Sequence, residues 1–314
     1  MGGLFVWCKN NKMKINITFL GTSGQIPTAS RNHTAILVQY NEENILIDCG
    51  EGTQRQFRKA KINPGKITKI LITHWHGDHI LGLPGLFQTL ALNGYKKELE
   101  IYGPKGTSKY IKEILNIFKF KNKLKMKIKE ITSGKVAETK DLLINSRPMN
   151  HGAPSLAYSI EEKEKIRIDK KKLAKLKIPN SKLIGQLAQG KNINLNGKTI
   201  KASDLTYKEP GKKLTIIMDT KTNPSIKTLA ENSDLLICES TFLDNSDNGK
   251  QLAEEYKHMT AKQAAQIAKS SKAKELILTH ISQRYEHKDK LILKEAQSVF
   301  KNTKLAKDLM VVEI

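Results

Sequence analysis

The residues best suited to chemistry lie in one short segment, Thr73-His74-Trp75-His76-Gly77-Asp78-His79. Its three imidazoles and one carboxylate directly follow an apolar run that is typical of a buried strand. A helix would turn His74 and His76 apart, whereas a loop that pivots at Gly77 lets all four side chains converge. Imidazole nitrogen suits zinc, and a nearby carboxylate holds a second ion or accepts a proton. The segment therefore predicts a metal site.

Four ligands are too few for two metal ions, so other parts of the chain must supply the rest. The remaining candidates are strand-end carboxylates and the histidines His33, His151, His258, His280 and His287. His151 lies in a turn after an apolar stretch, and Asp219 and His280 each end an apolar strand. Singly, each is more often an ordinary turn residue than a ligand. Together with the first cluster, they indicate a larger site.

Strands and helices must position these residues. Alternation of Ile15, Ile17 and Phe19 predicts a strand that ends at Gly21. Further predicted elements are a hairpin of Thr34–Tyr40 and Asn44–Asp48, a strand at Lys69–Thr73, a helix over Ile80–Asn93, and a helix with Ile111, Ile114, Leu115 and Phe118 on one face. Ile45-Leu46-Ile47-Asp48 resembles Ile216-Ile217-Met218-Asp219, and Ile70–His74 resembles Leu276–His280. These two repeats predict two similar sheets that meet at a shared polar edge.

The charge of the chain is strongly positive, with 54 Lys and Arg against 31 Asp and Glu, a formal net charge of +23. This excess attracts polyanions, although a lysine-rich proteome would produce it as well. Eight of the fifteen residues in Lys163–Lys177 are basic, and Asp169 is placed to cap a short helix that stops at Ile178-Pro179. We interpret this segment as a basic excursion from the main fold, or as a merely solvated charged helix.

The compartment is predicted from the cysteines and from hydropathy. Three cysteines without a CxxC pair fit a reduced, cytoplasmic setting. No apolar run reaches the roughly 20 residues that a membrane span needs. Residues 1–12 are expected to be an N-terminal extension, with Met13 as a possible alternative start.

The pattern His-x-His-x-Asp-His, followed by a distant His, a strand-end Asp and a strand-end His, resembles the metallo-β-lactamase superfamily. The resemblance implies an α/β fold, the four-layer αβ/βα sandwich of that superfamily, formed here as a single domain over residues 13–314 with a protruding basic arm at about 161–191. It also implies two Zn²⁺ ions per subunit. One ion would take His74, His76 and His151, the other Asp78, His79 and His280, with Asp219 bridging them. Asp48 matches a buried aspartate that braces the ligand loops.

Further motifs resemble tRNase Z within that superfamily, from about Lys14 to the C-terminus. They are Phe19–Thr28 with Arg31-Asn32, Gly50–Gln56, Tyr102-Gly103-Pro104, Cys238-Glu239-Ser240-Thr241, His258-Met259-Thr260, and Leu278–Ser282 with Arg284-Tyr285. The resemblance implies an endoribonuclease that removes 3′ trailers from precursor tRNA. By the same resemblance, Asp78 accepts the proton of the attacking water, and His258, oriented by Glu239, protonates the leaving oxygen. It further implies that the arm grips tRNA and that the enzyme is a homodimer.

Two departures from the tRNase Z pattern stand out. Cys238 replaces the first histidine of a His-Glu-Ala-Thr segment, and no Gly-Pro occurs near Asn180-Ser181-Lys182, where the family arm has its tip. Thr260 and Gln263 predict a capping box, which places His258 beside a helix N-terminus that we expect to favour a phosphate.

Other functions remain open on the sequence alone. An arylsulfatase-like or lactonase-like hydrolase would keep all seven ligands without needing a basic arm. A catalytically silent RNA-binding relative is disfavoured because the ligands, Glu239 and His258 are all present. A nuclease with a large inserted cap is disfavoured because residues 220–279 are too short a span to hold it.

Overall fold

Two large β-sheets form the centre of the protein. The computed structural model describes residues 14–117, 119, 124–176, 182–195, 197–246 and 248–314. The strands are β1 (Asn16–Gly21), β2 (Ala35–Tyr40), β3 (Glu43–Ile47), β4 (Lys69–Leu71), β5 (Glu98–Gly103), β6 (Lys125–Glu130), β7 (Gly134–Glu138), β8 (Leu142–Met149), β9 (Ser155–Glu162), β10 (Lys165–Ile168), β11 (Ile193–Leu195), β12 (Lys198–Ile200), β13 (Thr206–Glu209), β14 (Lys213–Ile217), β15 (Leu235–Glu239), β16 (Leu276–Thr279), β17 (Thr303–Leu305) and β18 (Val311–Glu313).

Helices cover the outer faces of these sheets and part of the segment between β10 and β13. They are α1 (Thr53–Lys59), α2 (Gly77–Ile80), α3 (Leu83–Leu92), α4 (Thr107–Ile117), α5 (Lys170–Lys175), α6 (Lys182–Ala188), α7 (Ala202–Leu205), α8 (Pro224–Ala230), α9 (Gly249–Glu255), α10 (Ala261–Ser270) and α11 (Asp289–Gln297). Short 3₁₀ turns occupy Pro64–Lys66 and Gln283–Tyr285. Within the described part of the chain, no helix is both long and apolar enough to cross a membrane.

The two sheets have matching topologies. The first runs in the order β18-β1-β2-β3-β4-β5-β6, and the second in the order β17-β16-β15-β14-β9-β8-β7. Strands β3 to β6 are parallel to one another, and so are β14 to β17. Parallel neighbours place their carboxyl ends at one sheet edge, so the loops after β3, β4, β14, β15 and β16 are brought together. This arrangement bears out the sequence-based expectation of two similar sheets.

Alternating side chains of the strands build a four-layer core. In β3, Ile45 and Ile47 face the second sheet, whereas Leu46 faces the outer helices α1 and α3. The layer between the sheets joins first-sheet residues such as Phe19 to second-sheet residues such as Ile216. Burial on both faces explains the nearly continuous apolar runs of these strands. Each fully buried Leu, Ile or Phe side chain contributes about 1.5–3 kcal/mol of transfer free energy.

Two helix predictions change in detail. The helix predicted over Ile80–Asn93 is divided into α2 and α3 at Leu81 and Gly82, and Pro84 lies in the first turn of α3, where a missing backbone N–H costs little. Gly82 lies there because an added Cβ would stand 2.1 Å from the Gly50 carbonyl oxygen. In α4, Ile111, Ile114 and Leu115 pack on the first sheet as predicted, while Phe118 lies outside the described residues.

Residues between β9 and β14 form a separate small unit, which we call the arm (Lys165–Glu209) and which extends beyond the end expected at about residue 191. Its stem is the antiparallel pair β10 and β13, and β11 pairs with β12. Leu187, Ile193, Ala202 and Leu205 form a small core of their own. Asp169 caps α5 as predicted, accepting from the Lys171 and Lys172 amides. The predicted helix end at Ile178-Pro179 and the predicted tip at Asn180-Ser181 lie outside the described residues.

Candidate metal centre

Four residues from three loops converge in a first cluster, His74, His76, His151 and Asp219. His74 and His76 follow β4, His151 follows β8, and Asp219 follows β14. Nδ1 of His76 lies 3.1 Å from Nε2 of His151. Oδ2 of Asp219 lies 3.6 Å from Nε2 of His74 and 3.7 Å from Nε2 of His151. These donor atoms surround one point, as the ligands of a single ion do.

A second cluster lies directly beside the first and contains Asp78, His79, Asp219 and His280. Nε2 of His79 and Nε2 of His280 are 3.2 Å apart, and each lies 3.3 Å from Oδ2 of Asp78. Each also lies 3.2 Å from Oδ1 of Asp219. Asp219 therefore presents one carboxylate oxygen to each cluster, which is the geometry that a bridging ligand needs.

The donor atoms in both clusters suit a metal better than they suit one another. Nε2 of His74 and Oδ1 of Asp219 are buried and have no hydrogen-bond partner among the described residues. Burying such groups unpaired is costly, so a buried polar atom calls for a ligand. Imidazole and carboxylate donors in this number match zinc chemistry. The residues thus fit the metal centre that the sequence predicts.

Electrostatics favours the metal-binding protonation states of His74 and Asp219. Burial, assisted by the neighbouring His79, lowers the pKa of His74 well below its usual value, so its imidazole is neutral. Burial alone would raise the pKa of Asp219, but the facing histidines His280 and His79 outweigh it and lower that pKa well below the usual range. Neutral imidazole and ionised carboxylate are the forms that coordinate a cation.

The backbone is strained at two strand ends, where it orients the side chains of Asp48 and His280. Asp48, directly after β3, has φ +57°, and His280, directly after β16, has φ +59°, both in the left-handed region. Such conformations are costly for residues other than glycine and persist where the surrounding structure fixes them. The His280 ring packs on Gly24, where an added Cβ would lie 3.0 Å from the ring carbon Cε1.

Glu239 and His258 stand beside the second cluster and form a third group with His280. Nδ1 of His258 lies 3.1 Å from Oε1 of Glu239, whose carboxylate is fully buried at the end of β15. Burial opposes protonation of His258, but the charges of Glu239 and Asp219 outweigh it and raise the pKa of His258 to about 9. The pair therefore has the contact that a carboxylate-oriented proton donor requires.

The expectation of a phosphate at the helix N-terminus beside His258 is wrong. Thr260 and Gln263 form the predicted capping box of α10. The remaining amides of the first turn are also taken, because Ala261 donates to the Phe242 carbonyl and Lys262 to the Glu295 carboxylate. With its N–H groups satisfied and a carboxylate already bound, this helix start does not offer an anion site.

The other sequence candidates lie apart from both clusters. Nε2 of His33 is 3.1 Å from the Gln25 carbonyl, and His287 is an exposed turn residue. Cys238 is buried in the apolar core around α10, and burial raises the pKa of its thiol well above the usual value.

Sequence reasoning missed several side chains and carbonyls that hold the ligands in place. The Lys257 carbonyl lies 3.0 Å from Nδ1 of His151, and the hydroxyls of Thr73 and Thr241 contact His74 and His280. The Lys257 and Thr241 contacts join loops that are distant in sequence, so no spacing signal exposes them. Thr73 is adjacent to His74, but the sequence does not show that its hydroxyl contacts the ring. The Asp48 contact with His79 at 2.7 Å matches the bracing role that the resemblance implied.

The sequence of this chain is similar to known proteins over nearly its full length. The family model described as Anti-Pycsar protein Apyc1 matches residues 15–163. Ribonuclease Z of Methanothermobacter thermautotrophicus is 39% identical over 301 residues, covering 96% of this chain and 97% of that protein. Ribonuclease Z of Enterococcus faecalis is 40% identical over 308 residues, with 96% and 97% covered. The chain belongs to the ribonuclease Z family.

Two solved structures share the fold of this chain, and one of them is a tRNase Z. The crystal structure of human tRNase Z, short form, has a TM-score of 0.69 and 27% identity, covering 95% of this chain and 98% of that one. A metallo-β-lactamase fold protein from Bacillus subtilis also has a TM-score of 0.69, at 21% identity, covering 96% and 100% of the two chains. The predicted fold and the predicted family are confirmed.

Proposed function

We propose that this chain is a zinc-dependent endoribonuclease that removes 3′ trailers from precursor tRNA, leaving a 3′-hydroxyl on the tRNA and a 5′-phosphate on the trailer. One observation carries the proposal. In a chain of the ribonuclease Z family, two adjoining His/Asp clusters share Asp219 and lie against a buried carboxylate–histidine pair.

The proposed enzyme holds two zinc ions per subunit. His74, His76 and His151 would hold one ion, Asp78, His79 and His280 the other, and Asp219 both. Zinc bound by these residues would polarise a phosphodiester and stabilise the attacking and departing oxygens of an in-line displacement. The assignment rests on the two oxygens of Asp219, each of which faces a different cluster.

The remaining chemistry falls to side chains of the chain. The carboxylate of Asp78 is buried in the second cluster, and we assign to it the proton of the attacking water. The side chain of His258 is 14% exposed and would donate its proton to the departing 3′-oxygen. Glu239 holds Nδ1 of His258, so the opposite ring nitrogen is left to face the substrate. Proton donation matters because an RNA 3′-alkoxide is a poor leaving group.

In this proposal the arm binds the RNA. Two groups of basic residues differ in their partners. Lys165 and Arg167 at the base of the arm pair with Glu162 and Glu209, and Lys163, just before the arm, pairs with Glu138. On α5, Lys171, Lys172 and Lys175 are exposed and form no ion pair with the described residues. We infer that α5 contacts tRNA phosphates while the paired residues stiffen the stem. In this proposal the protein is a cytoplasmic homodimer, and the arm of one subunit binds the tRNA that its partner cleaves.

Substrate comparison tests the proposed function against a small-molecule hydrolase on the same fold. The purified protein is given a 3′-extended precursor tRNA, an aryl sulfate and a lactone under identical conditions. We expect kcat/KM for the tRNA to exceed the values for both small molecules by several orders of magnitude, because only the tRNA uses the arm. A preference for the aryl sulfate or the lactone would overturn the proposal.

A further inference from the structure

In the first half of the site, the buried carboxylate Asp48 is connected to two histidines in different ways. Oδ2 of Asp48 lies 2.7 Å from Nδ1 of His79, a direct contact. The Thr73 hydroxyl donates to that same oxygen at 2.7 Å. The Thr73 oxygen in turn lies 3.1 Å from Nδ1 of His74. One histidine is therefore held by the carboxylate itself, and the other through a threonine hydroxyl.

The second half of the site repeats this arrangement around Glu239. Its Oε1 lies 3.1 Å from Nδ1 of His258, again a direct contact. The Thr241 hydroxyl donates to Oε2 at 2.6 Å, and the Thr241 oxygen lies 2.9 Å from Nδ1 of His280. All four groups are buried or nearly so, with Glu239 fully inaccessible. In the first sheet, Asp48 follows β3 and Thr73 follows β4. In the second sheet, Glu239 ends β15, Thr241 lies just after it, and His280 follows β16.

The direction of the protons follows from the chemistry of the groups. A threonine hydroxyl carries one proton, and an ionised carboxylate accepts but cannot donate. Each hydroxyl proton therefore goes to its carboxylate, and each threonine oxygen accepts from an imidazole Nδ1–H. Nε2 is then left with a lone pair in both His74 and His280. Nε2 of His74 is the buried nitrogen without a hydrogen-bond partner among the described residues, and Nε2 of His280 faces Asp219 at 3.2 Å.

We propose that Thr73 and Thr241 are positioning residues. Each threonine hydroxyl connects a buried carboxylate to one histidine by hydrogen bonds. It thereby fixes the Nδ1–H tautomer of that histidine, with the Nε2 lone pair directed at the metal centre. The inference rests on the proposed metal centre and deepens it. Outer hydrogen bonds of this kind orient metal-binding histidines, and their loss typically lowers metal affinity by about 10- to 100-fold. The pairing also links His280 to the proton-donor pair, because Glu239 contacts both Thr241 and His258.

Thr73→Val and Thr241→Val test the relay, since valine keeps the shape and removes the hydroxyl. Thr73→Ser and Thr241→Ser keep the hydroxyl and serve as rescues. Thr279→Val is the matched control, because Oγ1 of Thr279 is buried beside His280 yet has no hydrogen-bond partner among the described residues. Metal retained by the full-length protein is measured over a graded series of chelator concentrations. Tautomers are read from ¹⁵N chemical shifts of labelled histidines, before and after chelator.

Each valine variant should release metal at about 10- to 100-fold lower chelator concentration than the unaltered protein, while both serine variants and Thr279→Val behave as the unaltered protein. After chelation, the Nδ1–H signal of His74 should be lost in Thr73→Val and that of His280 in Thr241→Val. Unchanged metal retention and unchanged tautomers in the valine variants would overturn the relay. If the unaltered protein binds no metal, the proposed function fails, while the tautomer measurement still decides the relay.

Discussion

At the scale of the residue, charge and burial separate two roles that histidine plays in this protein. Burial lowers the pKa of His74 and keeps its imidazole neutral for coordination. In His258 burial acts in the same direction, but the adjacent carboxylates of Glu239 and Asp219 prevail and raise the pKa to about 9. In these two histidines, the balance between burial and the neighbouring carboxylates thus gives opposite pKa shifts.

The proton-donor role predicts a particular loss in His258→Ala. We expect turnover on precursor tRNA to fall by about 10²–10⁴-fold, because the departing 3′-oxygen loses its proton source. A phosphodiester with a nitrophenol leaving group should lose far less, since nitrophenolate leaves without protonation. Turnover of both substrates is measured alongside metal content, which should stay unchanged. Equal losses on both substrates would instead assign His258 to binding or folding.

The bridging role predicts a change in metal content for Asp219→Asn. The unaltered protein should contain close to two zinc equivalents by elemental analysis, and the variant about one or fewer, because one carboxylate serves both clusters. Asp234→Asn is a matched control, as that carboxylate pairs with Lys212 and Lys274 away from the site. Two equivalents retained in Asp219→Asn would contradict the bridge.

At the scale of the element, the strands of the core could be predicted, and the loops that complete the site could not. Hydrophobic alternation located β1, β2 and β3 within one residue or so at each end. The cluster from His74 to His79 was visible because its ligands are close in sequence. Hydrophobic periodicity and motif spacing do not encode which distant loops meet. The contacts of the Lys257 carbonyl with His151 and of the Thr241 hydroxyl with His280 are therefore visible only in the folded chain.

Predictions at helix ends were correct where the signal is local in sequence and wrong where the outcome depends on tertiary contacts. The capping box at Thr260 and the cap at Asp169 are local and were predicted correctly. The phosphate expected at the start of α10 was wrong because Glu295, on another helix, already binds the Lys262 amide. The break before α3 likewise reflects close packing of Gly82 on Gly50, a contact between loops.

The arm is an element that can be removed without opening the core. Lys165 and Glu209 face each other at the base of its stem, so a short Gly/Ser linker in place of residues 165–209 closes the chain. This variant should hydrolyse a small phosphodiester normally, because the clusters lie on other elements. Its KM for precursor tRNA should rise steeply, since binding energy shared by ground state and transition state is lost. Normal tRNA processing by the shortened protein would show that the arm is only a solvated surface.

At the scale of the whole molecule, the net charge of +23 predicts a strong dependence of tRNA binding on salt. Each phosphate contacted in a duplex region contributes about −0.9 to the slope of log K against log salt. Neutralising Lys171, Lys172 and Lys175 together should flatten that slope by about two to three. The same change at Lys227, Lys269 and Lys290, on the outer helices of the second sheet, should alter it far less. Equal slopes for the two triple variants would place the RNA contacts elsewhere.

The position and chemistry of the cut test the central claim most directly. A 5′-labelled precursor tRNA with a 3′ trailer is incubated with the purified protein, and both product ends are identified. We expect a single cut at the junction of tRNA and trailer, a 3′-hydroxyl on the tRNA, a 5′-phosphate on the trailer, loss of cleavage in chelator and recovery with zinc. A 2′,3′-cyclic phosphate, a cut elsewhere in the tRNA, or cleavage indifferent to chelator would contradict it.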